Sequence, residues 1–363
     1  MRKTTLLAFV LSLVLIGAGA AQQGSTPAPM SPIEQALVDL KSENPMVRRR
    51  AIENISTLRD AKGIEGVMAA LKDSSPHVRS AAADCLGLLH APGSAQPIAE
   101  LLSKDPDPNV RQNAAIALTY LADPSVEEPL LGALKDKAPG VRTSAAQTLG
   151  SLRSLKAVAP LSAMLKEPSA DMRRAAATAL GMIGDRSCVP ALSAVLTDGD
   201  RGVRQEAAKA LGTMGDPTAA APLKALLKDS DGQVRILAAL SLGRLGDASG
   251  ASTAMELLKD PDASLRRQAA GALGLIGDKD KGLKALDSAF ASESDPGTKQ
   301  MIEFGRAQLK SRLSVIDPPA PSTTTAPGAP AKPATPGKPT AGPGKTPAKK
   351  APVKKAAPAK KTP

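Results

Sequence analysis

From about residue 31 to residue 312 the chain alternates between two kinds of short amphipathic segment. In residues 203–229, VRQEAAKALGTMGDPTAAAPLKALLKD, the small apolar Val203, Ala207, Ala208, Ala210 and Leu211 recur at helical spacing. After a Gly-Asp-Pro break, Leu223, Leu226 and Leu227 do so again. The pattern predicts a first helix that closes at glycines such as Gly212 and Gly215. A second helix is then opened by Asp216-Pro217 and ends at Lys228-Asp229. Three residues before each Val-Arg pair stand Asn44, Ser75, Asp107, Ala138, Ser169, Asp200, Asp231 and Asp262, all but Ala138 being residues whose side-chain oxygen can cap a helix. Proline follows at Pro45, Pro76, Pro108 and Pro139, where a missing N–H costs nothing.

The phrase recurs. Val47-Arg48, Val78-Arg79, Val110-Arg111, Val141-Arg142, Met172-Arg173, Val203-Arg204, Val234-Arg235 and Leu265-Arg266 are 31 residues apart, with one interval of 32. A unit this short cannot bury its own apolar face, so a fixed period over eight copies predicts a stack in which each unit covers the next. Residues 31–41 read as an unpaired second helix closing the front, and residues 295–310 as a divergent first helix carrying Phe304 at the back.

This repeated VR-xx-AA-x-AL-G-x-x-GD phrase resembles the HEAT-like repeats of the phycocyanobilin-lyase type over about residues 31–312. The resemblance implies an all-α fold, a right-handed α-solenoid of about eight two-helix repeats whose Val-Arg helices line the concave face. Tetratricopeptide and ankyrin arrays are set aside by their periods of 34 and 33 and by their absent signature residues.

Composition adds the two ends. Residues 1–21 place Arg2 and Lys3 before an apolar run that closes on Ala18-Gly19-Ala20, the pattern of an export signal cleaved near Ala20 or Ala21. The alternative is an uncleaved membrane anchor. Residues 22–30 read as a linker and residues 313–363 as a disordered Pro/Ala/Lys-rich tail; from Pro318 onward it holds 13 Pro and 9 Lys without an acid. The formal charge of +12 therefore belongs mostly to the two ends, and the repeats are nearly neutral. Export makes the protein periplasmic or secreted, where the tail would contact anionic envelope polymers or lipids. Nucleic-acid binding through the tail is the alternative, weakened by export and by an aromatic content of 1%.

Candidate chemistry is sparse. The recurring arginines Arg48, Arg79, Arg111, Arg142, Arg173, Arg204, Arg235 and Arg266 follow acids ending the previous unit (Asp73, Asp105, Asp136, Asp198, Asp229, Asp260) and are expected to form a ladder tying neighbouring repeats. Cys85 occupies a small core position, and Cys188 lies three repeats away, so two free thiols are expected. The resemblance extends to phycobilin lyases and to deoxyhypusine hydroxylase, which holds iron on His-Glu pairs directly after the repeat arginine. Those positions here contain no His, and the only histidines are His77 in a first turn and His90 at a helix end. No metal, cofactor or catalytic residue is expected, and a lyase- or hydroxylase-like enzyme or maturation factor is the alternative. The second, third and sixth residues after each Val should face away from the core and are mostly polar, as in Thr143, Ser144 and Gln147 or Gln205, Glu206 and Lys209. Repeat seven departs with Ile236, Leu237 and Leu240, and repeat three with Ile116 and Tyr120. These five are the candidate contacts for a protein partner, in a non-enzymatic interaction scaffold.

Overall fold

A computed structural model describes residues 30–316. The expected export signal, nearly all of the expected linker and residues 317–363 of the expected tail lie outside the described residues. Within them the chain is an α-solenoid. Inner helices Pro45–Leu58, Pro76–Leu88, Pro108–Leu121, Pro139–Ser151, Ala170–Ile183, Arg201–Met214, Gly232–Arg244 and Ala263–Ile276 alternate with shorter outer ones, and each inner helix packs on the next. The front helix, Pro32–Asp39, is held by a capping box in which Ser31 and Glu34 bond reciprocally. The last inner helix, Pro296–Ile316, runs four residues beyond the predicted boundary at residue 312.

The caps act locally as the pattern predicts, with Asn44 accepting from the Met46 N–H at 2.9 Å and Asp107 from the Asn109 N–H at 2.8 Å. At the far ends of the first seven of these helices the chain turns through a left-handed residue twelve positions after the Val (Met172 in repeat five), whereas Gly277 of the eighth is extended. Gly184, Gly215 and Gly246 take it without steric cost, while Arg59, His90, Ala122 and Arg153 adopt it as side-chain-bearing residues at φ 49 to 52°. His90 is thus a helix-end residue. Gly212 corrects the sequence reading: it lies inside its helix, buried, and only Gly215 closes it.

The interior glycines set the spacing of the stack. A Cβ on Gly87 would fall 2.9–3.1 Å from Ala117, one on Gly150 2.9–3.2 Å from Ala179, and one on Gly212 2.4–2.8 Å from Ser241. Each pairs a residue nine after the Val with one seven after the Val of the following repeat. Where the glycine is absent, small polar residues take the two positions: Thr119 Oγ1 and Thr148 Oγ1 lie 2.7 Å apart, and Ser56 and Cys85 hold the equivalent places in repeats one and two. Close backbone approach in this layer, and little contact between successive outer helices, make the Val-Arg helices the inner layer. Cys85 and Cys188 are buried free thiols, and burial is the main cause that pushes each up to about 11.

The arginines bridge three segments. Arg79 makes a bidentate pair with Asp105, Nε to Oδ2 at 2.7 Å and Nη2 to Oδ1 at 2.9 Å, while its Nη1 donates to the Asp73 carbonyl. Arg48, Arg111, Arg173 and Arg204 repeat this with Asp73, Asp136, Asp198 and Asp229, and Arg266 with Glu293. The carboxylate therefore comes from the acid ending the arginine's own repeat, 25 to 27 residues downstream; the preceding acid supplies only its backbone carbonyl. Arg142 reaches Glu167 only at 3.4 Å. Arg235 bonds the Asp229 and Ser230 carbonyls but no carboxylate among the described residues, and its buried Nε has no partner.

The ladder predicts acid lability. Hydrogen bonds from Arg48, Arg111 and Arg173 are the first cause holding Asp73, Asp136 and Asp198 below the usual carboxylate range. A folded value below the unfolded one, about 3.9, gives stability that is full above that value and lost as pH falls through the folded one. The melting temperature should thus fall steeply below about pH 4, and Arg173→Gln should flatten that fall. Because Asp105 is nearly inaccessible, Asp105→Ala should cost about 3 kcal/mol in urea unfolding by stranding Arg79. Arg235→Ala should cost about 1 kcal/mol or less, since that guanidinium has no ion pair to lose.

Candidate functional site

The inner layer carries two hollows. One, of about 440 Å³, lies over repeats one to three and is lined by Arg49, Glu53, His77, Ser80, Asp84 and Leu88, with Asn109 and Asn113 from the next helix. The other, of about 630 Å³, lies over repeats three to six, among Gln112, Thr143, Gln147, Arg174, Thr178 and Glu206. Helix Pro108–Leu121 stands between them, giving Asn109 and Asn113 to one side and Gln112 to the other.

The side chains one helical turn apart on this dividing helix are Ile116 and Tyr120, 36% and 47% exposed. Leu88, at the position of repeat two that Tyr120 holds in repeat three, is 48% exposed. Three large apolar groups on adjacent helices thus stand open to solvent beside two polar hollows. Their exposure has a local cause: both helices bury the opposite stripe, Val78, Ala82 and Leu86 in one and Val110, Ala114 and Leu118 in the other.

Repeat seven differs from the sequence reading. Ile236 is 0% exposed and belongs to the apolar cluster of Ala239, Leu257, Leu258 and Leu265, so it is no surface contact. Leu240 packs against the same cluster half-buried, and Leu237 is half-buried too. The second position after the Val lies at the junction with the next repeat: Gln205 and Thr143 are half-buried there, and isoleucine completes the burial. The sequence reading missed Leu88 and Leu275, and it named Phe304 without expecting its exposure. Leu275 stands ten residues after the Leu265 of its repeat, as Tyr120 does after Val110, and is exposed. Phe304, 58% exposed, holds the register position of Ile116 in the last inner helix. Aligning the tenth position after each Val would have found the first two.

The profile of HEAT repeats matches residues 31–107, 95–177, 159–235 and 220–304, which together span the described stack. The chain is a HEAT-repeat protein. HEAT repeats indicate a solenoid scaffold for protein interaction. E. coli YibA superposes with a TM-score of 0.53 at 23% identity, over 74% of this chain and 98% of that one. A chain from the complex of Kap95p with RanGDP gives 0.56 at 13% identity, over 82% of this HEAT-repeat chain and 48% of that one. The complex of CpcE and CpcF of phycocyanin lyase from Nostoc gives 0.41 at 22%, over 61% and 91%. At these identities the likeness concerns the fold alone. A search of curated protein sequences found no match. Among the described residues no His, Cys, Asp and Glu group has metal-holding geometry, and no helix is long and apolar enough to cross a membrane.

Proposed function

We propose that this HEAT-repeat protein is an exported, non-enzymatic scaffold that holds a protein partner along its inner layer, with Leu88, Ile116 and Tyr120 as the apolar anchor. The observation that carries the reading is the dividing helix Pro108–Leu121, which presents Ile116 and Tyr120 to solvent between two polar hollows. Anchors flanked by polar groups that can take a backbone are the anatomy of a protein-binding surface. Kap95p, whose complex with RanGDP contains a chain of similar fold, is an instance of a protein partner held in such a complex. Export rests on residues 1–21, and the Lys-rich tail would tether the scaffold electrostatically to anionic envelope polymers or lipids.

The test is in-cell crosslinking and mass spectrometry on the full chain, comparing wild type with Ile116→Asp/Tyr120→Ser. Both side chains are exposed, so the double variant should melt within about 1 kcal/mol of wild type. A specific partner should be crosslinked to wild type and reduced at least tenfold in the variant. An unchanged partner set would sink the anchor. The same spectra give the mature N-terminus, and a chain that retains residues 1–21 in the cytoplasm would overturn export. Salt extraction of the envelope-bound fraction checks the tail: release by high ionic strength is expected, and salt-resistant binding would contradict the tether.

A further inference from the structure

The hollow over repeats one to three contains a carboxylate without a counter-charge. Asp84 is half-buried in its wall, and burial pushes its carboxyl up to about 6. Its hydrogen bond among the described residues is a long one from Asn113 Nδ2, at 3.5 Å, and that amide also donates to Ser80 Oγ at 3.1 Å. The ionisable residues lining the hollow around it include Arg49 and Glu53 from the preceding inner helix and His77 from its own; the following helix brings only the neutral Asn109 and Asn113. Arg49 is held by Glu53, Nε to Oε1 at 2.8 Å. Asp84 is left as a partly desolvated acid facing open space, an arrangement that a cation entering the hollow would relieve. The same sixth position after the Val is Ile116, Gln147, Thr178 and Lys209 in repeats three to six, so the acid is particular to this end of the stack.

We propose that the hollow receives a lysine side chain from an extended segment of the partner, its ammonium on Asp84 and its neighbouring apolar residue on Leu88, Ile116 and Tyr120. The inference rests on the docking reading above and adds the chemistry of the partner. Lysine fits better than arginine because Asn113 faces one Asp84 oxygen and leaves the other for a single-point contact. A compact ammonium with three separate donors suits one carboxylate oxygen plus the hydroxyls of Ser56 and Ser80, which line the same hollow. A guanidinium prefers the two-oxygen fork that Asp105 gives Arg79.

The experiment measures retention on the immobilised full chain of three capped pentapeptide pools. Their central residue is Lys, Nε-acetyl-Lys or Arg, and their flanks vary over Ala, Leu, Tyr and Pro. The Lys pool should be held at least tenfold more tightly than the acetyl-Lys pool and more tightly than the Arg pool. Asp84→Asn, nearly isosteric, should remove the difference, and retention of the Lys pool should fall from pH 7.5 to 5 in wild type and in His77→Gln but not in Asp84→Asn. Equal retention of Lys and acetyl-Lys pools, or a difference that survives Asp84→Asn, overturns the lysine site. If both pools are then lost together in Tyr120→Ser, the apolar docking reading stands without it. Stronger retention of the Arg pool reverses the choice of cation. No retention of any pool at millimolar concentration overturns the lysine site, leaving the crosslinking experiment to judge the anchor by itself.

Discussion

Gly150→Val is expected to destabilise the stack by about 4 kcal/mol or more, and even Gly150→Ala by about 2 kcal/mol. Helix propensity alone would give the opposite sign, since alanine in a helix interior is favoured over glycine by about 1 kcal/mol. The reversal comes from Ala179. A Cβ on Gly150 would lie 2.9 Å from its Cα and 3.2 Å from its carbonyl oxygen, and backbone cannot rotate away as a side chain can. The two inner helices must separate, which opens buried Leu149 and Leu180 on either side. Gly271 is the internal control: nothing lies within 4 Å of its built Cβ, so Gly271→Ala should stabilise by about 1 kcal/mol. Because repeat arrays need not unfold in one step, hydrogen exchange across residues 139–183 is the appropriate readout beside urea melts. Protection there should collapse in Gly150→Val. Equal and small effects at Gly150 and Gly271 would mean that the glycine column reflects something other than close approach.

The same column shows where sequence was readable and where it was not. Period, caps and apolar spacing depend on residues within one unit, so the helices, their order and the identity of the repeat could be read from the chain alone. The meaning of Gly212 depends on Ser241 in the next unit, and no pattern within one unit distinguishes a helix-ending glycine from one that admits a neighbour. The arginines follow the same logic. Asp73 is six residues before Arg79 and 25 after Arg48, and only the fold decides that its carboxylate goes to the distant one. For the inner surface, Ile116 and Tyr120 were legible as apolar residues at positions that other repeats make polar. Leu88 escaped because leucine ten residues after the Val reads as ordinary core. Asp84 escaped because a helix-surface acid reads as solvated; its half-burial is a product of the hollow around it.

Ile236→Asp should separate the two ends of the molecule. The apolar core divides within helix Gly232–Arg244: Val234, Ala238 and Leu242 join the long cluster running from repeat one, while Ile236 and Ala239 join the cluster of the last repeats. Elsewhere such a junction is also held by an arginine ion pair, but Arg235 has none among the described residues, so apolar packing carries more of it. Replacing Ile236 by Asp removes about 1.5–3 kcal/mol of burial and places an uncompensated charge in the cluster, for a total of about 5 kcal/mol or more. Arg235 lies one residue away on a different helix face and offers no ready partner. Repeats one to six keep their own cluster and ladder, so the expected result is release of the last repeats while the front stays folded. Limited proteolysis should then cut within residues 232–316 and leave a resistant fragment, and the partner crosslink through Ile116 and Tyr120 should survive. Leu237→Asp and Leu240→Asp, at half-buried sites, should cost less. A variant that stays whole would place Ile236 at the surface, contrary to its full burial; one that loses the front repeats as well would make the stack a single cooperative unit.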